Sequence, residues 1–104
     1  MKMMKMPNHE YAQCHIVEKN DRIYLVSYTT LIVCVRNDGW MDCTGTYSRT
    51  TIKHIGWFMR YISEKFGVKV SYYDAKWCYE HDSLVNIFTG EVKTYEEYNE
   101  KATA

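Results

Sequence analysis

Cysteine and histidine offer the most chemistry in this chain, and their spacing decides what that chemistry could be. Zinc needs four nitrogen or sulfur ligands in a tetrahedron, usually supplied as two close pairs. Cys78 and His81, with two residues between them, make one acceptable pair. A second pair is hard to find. Cys14 and His15 are adjacent, so on a strand they point to opposite sides. Cys34 and Cys43 share a hairpin whose favoured register separates their faces. Cys78 and His81 could also be drawn as nucleophile and base, but no strained elbow or oxyanion turn surrounds them. The five glycines are scattered, so no phosphate-cradling loop is present. Asp42 has no carboxylate partner and reads as a polar strand residue on the solvent face. The expectation is four buried, inert thiols, with no metal, no cofactor and no catalytic set, and so no enzyme.

The remaining candidate is an anion site. Ser48, Arg49, Thr50 and Thr51 stand where a helix begins, and a helix N-terminus offers free amides and a partial positive charge. With Lys53 they could surround a phosphate, and Arg60 extends the basic face. The simpler reading is capping by the hydroxyls with Arg49 in solvent. His54 beside this stripe reads as a helix-surface histidine.

These residues are positioned by a helix from about Thr50 to Phe66. Ser48 or Thr50 can cap its first turn. Ile52, Ile55, Met59, Ile62 and Phe66 recur at the spacing of one helix face, and Gly67 sits where a left-handed residue ends a helix. Arg49, Lys53 and Arg60 lie opposite. Upstream, His15 to Glu18 reads as a short strand with a turn at Asn20-Asp21. Arg22 to Val35 is a long run of strand formers, with a bend or bulge expected near Ser27 to Thr30. Asn37-Asp38-Gly39 makes a three-residue turn into a strand from Trp40 to Thr46, closing the pair Arg36–Trp40. That register places Leu31, Val33 and Val35 with Met41 and Cys43. Downstream, Val68 to Tyr73 alternates like a strand, and Asp74 to Asp82 reads as helical turn or loop. A second hairpin follows around Thr89-Gly90. Thr94 and Glu97 form a capping box opening a short terminal helix to about Ala102. The reading is α+β: an antiparallel sheet packed on one main amphipathic helix, with a short C-terminal helix. Residues 1–13 are expected as a loose arm and 14–104 as a single domain.

Composition adds limits. Positive and negative residues balance at 13 each, so no global field attracts nucleic acid or membrane. The halves differ: residues 1–69 carry a surplus of four positive charges and residues 70–104 a surplus of four negative. No run of eighteen apolar residues exists to cross a membrane, and the start MKMMKMP lacks the apolar core of a signal peptide. A reducing, cytoplasmic setting and free thiols are expected. Ten Tyr and three Trp exceed what a core of this size needs, and such rings are enriched where proteins meet partners.

The step Tyr47-Ser48-x-Thr50-Thr51-x-Lys53-His54-Ile55, reached through the strand Tyr24-Leu25-Val26-Ser27-Tyr28-x-Thr30, resembles that of small uncharacterised proteins encoded by bacteriophages and mobile elements. The resemblance covers roughly residues 22–66 and brings no catalytic residues with it. It implies a phage-type accessory protein acting in the cytoplasm of a bacterial host by stoichiometric protein binding, with anti-CRISPR inhibitors of host defence among such proteins. The residues expected to meet a partner are Tyr73, Trp77, Tyr79, Glu80 and Asp82, aromatic anchors within an acidic rim. Trp77 is the first choice, and the partner is a host or defence protein with a basic surface. The alternative is a nucleic-acid-binding accessory protein using Ser48, Arg49, Thr50, Thr51, Lys53 and Arg60.

Overall fold

In the computed structural model, which describes residues 1–45 and 48–103 and side chains through Asn99, short β-rich runs alternate with residues that tolerate a left-handed backbone. Five strands precede the first helix, the first four being β1 (Lys2–Lys5), β2 (Cys14–Lys19), β3 (Arg22–Ser27) and β4 (Thr30–Arg36). Asn20 and Asp21 both have positive φ, 52° and 62°, the two-residue geometry that matches strand twist. β5 (Trp40–Cys43) follows the turn at Gly39, whose φ is 100°. The main helix α1 (Arg49–Phe66) and a second helix α2 (Tyr72–Glu80) come next, then β6 (Ser83–Asn86), β7 (Val92–Thr94) and α3 (Tyr95–Thr103). The strands form one seven-stranded antiparallel sheet in the order β1 to β7.

Both ends of α1 are built as its sequence demands. Ser48 is extended, and its Oγ accepts from the Thr51 amide at 3.2 Å. Gly67 closes the helix in the left-handed region at φ 66°. The buried face is wider than the apolar stripe suggests. Ile55, Met59 and Ile62 are fully buried, joined by Thr51, His54 and Phe58, while Ile52 and Phe66 sit half-buried at the margin. A helix lying on a sheet meets it along a broad strip, so residues on the far side of the stripe are covered too.

That strip covers one face of the sheet, here called the inner face. Ile16 pairs with Leu25, Leu25 with Val33 and Val33 with Cys43; Ile23 pairs with Val35 and Val35 with Met41. All these side chains join Ile55, Phe58, Met59 and Ile62 in one core. α2 extends the cover over β5 and β6, with Ala75 and Cys78 fully buried. α3 packs on the opposite, outer face. Its Tyr95 hydroxyl donates to Asp42 at 3.2 Å, the Tyr98 ring meets Trp40 edge-on at 6.0 Å, and the Arg36 guanidinium lies 5.2 Å from the Tyr98 ring centre. Asp42 is therefore not a lone solvent-face residue, since Arg36 also pairs with it at 3.3 Å.

The Arg36–Trp40 hairpin has the expected register, with Val35 opposite Met41 and Val33 opposite Cys43. Four expectations need correction. The expected loose arm over 1–13 contains β1, paired with β2 from Lys2↔Glu18 to Lys5↔His15, and Met6 is buried. The run Arg22 to Val35 is two strands: the bend expected near Ser27 to Thr30 falls there but is a full reversal at Tyr28-Thr29, where Tyr28 takes a left-handed φ of 56°. The ladder then slips, pairing Leu25 with Val33 but Val26 with Leu31. This bulge turns Leu31 to the outer face, away from Val33 and Val35. Val68 to Tyr73 is not a strand. Ser63 Oγ accepts from the Val70 amide at 3.2 Å, and Ser71 with Asp74 forms a capping box that starts α2. β5 stops at Cys43, short of the Thr46 expected, although the Thr44 amide still donates to the Ile32 carbonyl at 2.8 Å; Thr46 and Tyr47, the first residue of the strand-to-helix step, lie outside the described residues.

Gly39 carries the tightest steric demand. A Cβ there would stand 2.5 Å from Asn86 Oδ1 and 2.6 Å from the Phe88 ring. Its carbonyl accepts from the Ile87 amide at 2.8 Å. Gly90 is also left-handed, at φ 78°, but faces open space. Gly39→Ala should therefore cost about 2 kcal/mol or more, against about 1–2 for Gly90→Ala, which bears only the backbone strain. Urea denaturation of the two variants measures the difference, and equal losses would refute the close approach.

Candidate functional site

The capping box fixes how α2 presents its side chains. The Asp74 carboxylate accepts from the Ser71 amide at 2.7 Å, and Ser71 Oγ accepts from the Tyr73 amide at 3.3 Å. Ala75 and Cys78 face the sheet, so at about 100° per residue Tyr73, Trp77 and Glu80 fall on the outward side. Tyr73 is 74 % exposed, the clearest ring on this helix. Glu80 is exposed, Tyr79 stands out on the flank at 46 %, and Asp82 follows in a left-handed turn at φ 47°. Trp77, expected as the exposed anchor, is half-buried. It packs against the core and stacks on His81 with ring centres 4.2 Å apart. The five residues expected to meet a partner lie along α2 and the turn after it, and Tyr73, not Trp77, is the most exposed ring among them.

The N-terminus of α1 divides its residues differently. Thr51 is buried, and its hydroxyl lies 3.1 Å from Ser48 Oγ, inside the cap. Ser48 is occupied by capping as well. Arg49, Thr50, Lys53 and Arg60 are exposed. Helical geometry puts Arg49, Lys53 and Arg60 on one stripe, with Gly56 between them. The Ser48 and Thr51 hydroxyls belong to the cap, Thr50 faces solvent, and the three cations form a solvent-facing row.

The thiols point inward. Burial pushes the Cys43 thiol up to about 11 and Cys78 up to about 12, and it raises Cys14 and Cys34 as well. Groups raised this way are poor nucleophiles at neutral pH. Cys78 lies beneath α2 with Sγ 3.7 Å from the Met41 carbonyl oxygen, while His81 is exposed on the Trp77 ring, so this pair points apart. Among the described residues, no group of three or more His, Cys, Asp or Glu side chains gathers as metal ligands would. No described helix is long and apolar enough to cross a membrane.

Sequence reasoning missed one constellation. His54 is buried, not on the helix surface, and its Nδ1 lies 2.7 Å from Ser27 Oγ. A row of rings continues from it: Trp57 at 5.7 Å, with His9 stacked 3.7 Å beyond, and Tyr28 at 5.8 Å on the other side. Serine beside imidazole suggests a nucleophile, but both side chains are only 2 % exposed, leaving no route for a substrate. The pair acts as a buried polar bridge from β3 to α1. The signal available in sequence was positional, since His54 stands one residue before Ile55 and falls within the buried arc.

Burial lowers the His54 pKa below its ordinary value of 6.5. The unfolded chain therefore takes up a proton at this residue first as pH falls. Stability from the neutral buried ring is present above about 6.5 and is lost as pH drops from there towards the lowered folded value. Denaturation midpoints should fall between pH 7.5 and pH 5, and in His54→Gln that fall should shrink. An unchanged pH slope in the variant would show that the ring titrates freely in the folded protein.

Residues 1–74 match the model of a family described as a family of unknown function, DUF8033. The match spans β1 to β5 and α1 and ends in the first turn of α2. No curated protein and no solved structure matches the chain.

Proposed function

The chain belongs to the DUF8033 family, and from that premise we propose that it is a non-enzymatic protein-binding module whose contact surface is the outward side of α2. The observation that carries this reading is Tyr73, 74 % exposed on a well-capped helix, with Glu80 about two turns further along the same outward side and Tyr79 and Asp82 exposed near that far end. An exposed ring on a helix that also presents carboxylates is the usual material of an interface anchor. The carboxylates, within an acidic C-terminal third, favour a basic partner surface and would speed encounter at low salt. The resemblance of the step into α1 to phage and mobile-element proteins supports a host protein as the target. An inhibitor of bacterial defence, acting at one-to-one stoichiometry in the host cytoplasm, is the form this proposal takes.

A second reading draws on the row Arg49, Lys53 and Arg60, whose alignment on one exposed stripe supports contact with a nucleic-acid backbone. Three cations are few for such a face, so it ranks below protein binding. The two differ in salt response: contact with phosphates releases counterions and weakens steeply with salt.

A pull-down from host lysate, followed by titration of the captured protein, tests the first reading. Tyr73→Ala should leave the melting temperature unchanged and weaken binding by about 2 kcal/mol. Trp77→Ala should lower stability by about 1–3 kcal/mol, because its half-buried ring packs on the core. Normal binding by Tyr73→Ala, with loss on replacing Arg49 and Lys53, would shift the function to α1.

A further inference from the structure

The sheet has two faces, and the described helices cover them differently. α1 and α2 together cover the inner face as far as β6, whereas α3 lies on the outer face against Trp40, Arg36 and Asp42. Over β1 to β3 no described helix packs on the outer face. Register places Met3, Val17 and Tyr24 in one row across these strands, and Val26 beside Leu31 of β4 in the next. Met3 is 60 % exposed and Leu31 43 %. A groove of about 280 Å³ runs between Val17, Lys19, Tyr24, Val26 and Leu31. An apolar patch of Met3, Val17, Tyr24, Val26 and Leu31 thus lies on this face with no described helix over it, whereas α1 and α2 layer on the other face as helix on sheet.

Charge says what fits there. On the outer face β1 to β3 carry Lys5, His15, Lys19 and Arg22, and no Asp or Glu. A second copy docked face to face would bring these cations together. A single strand of nucleic acid would find one ring, Tyr24, among aliphatic side chains, where stacking needs several. The chain itself shows a better occupant on the same face. α3 has Glu96 and Glu97 in its first turn and seats Tyr95 and Tyr98 against Asp42, Trp40 and Arg36. Three strands spaced ~4.8 Å apart leave a strip roughly 10–15 Å wide, which suits one more helix of ~10–12 Å diameter.

We propose that the outer face of β1 to β3 is a docking surface for an acidic amphipathic helix of a partner protein, lying beside α3 with apolar side chains in the Val17–Tyr24–Leu31 groove and carboxylates on Lys5, Lys19 and Arg22. This site is separate from the α2 surface, and either can hold without the other.

The test uses the full chain and a synthetic helical peptide with Leu along one face and Glu on its flanks, beside the same peptide with Lys replacing Glu. The acidic peptide should bind, shifting amide resonances of Val17, Tyr24, Val26 and Leu31, and the basic one should bind at least about tenfold more weakly. Leu31→Glu should lower affinity by about tenfold, and Lys19→Glu, on an exposed side chain, serves if Leu31→Glu does not fold. Tyr73→Ala should change nothing. Equal affinity for both peptides, no binding of either, or shifts confined to α1 or α2 would overturn the proposal. So would saturation of these residues by a single-stranded oligonucleotide in place of the peptide, or concentration-dependent self-association through this face.

Discussion

The broad apolar strip of α1 must be buried, and the sheet is shaped to receive it. Ile55, Phe58, Met59 and Ile62 lie fully buried against Ile16, Leu25, Val33 and Met41. At roughly 25 cal/mol per Å² of apolar area, side chains of this size supply about 1.5–3 kcal/mol each when fully buried. The inner-face register of β2 to β5 follows from this burial, because a one-residue slip would turn Leu25 and Val33 away from the helix. The Ser27–His54 bridge sits at the margin of the same contact and fixes where α1 stands relative to β3.

Much of this was legible in the residues. The start, end and principal face of α1, the Asn37–Gly39 turn, its register and the Thr94–Glu97 cap all carry local signals, and local geometry decided them. What failed depended on distant partners. β1 reads as a frayed arm because its Met and Lys residues have weak strand preference, and only β2 makes it a strand. Tyr28 hides a turn because an aromatic residue rarely takes positive φ; its amide donates to the Gln13 carbonyl at 2.7 Å, a contact no local window reveals. Val68 to Tyr73 has strand alternation, but Ser63 Oγ claims the Val70 amide and Ser71 begins a helix.

The same split governs the candidate sites. That Tyr73, Glu80 and Asp82 are exposed follows from residue type and helix phase. That Trp77 folds down onto His81, and that Thr51 turns into its own cap, depends on packing. His54 shows the limit most sharply. A polar residue is buried when a partner waits for it, and Ser27 lies twenty-seven positions away in the chain.

The strand order has a kinetic side. Five of the six strand junctions close over short connections, so their ends are near neighbours before pairing begins. The sixth, β5 to β6, closes over residues 44–82, and its ladder holds only Trp40↔Asn86 and Met41↔Val85. As a flexible chain, a segment of that length costs roughly 2–3 kcal/mol more closure entropy than a two-residue turn. Two rungs are a small return for it. α2 supplies the rest by contacting both β5 and β6, with Cys78 against the Met41 carbonyl. The short second helix is therefore the clamp that ties the C-terminal hairpin to the five-stranded body.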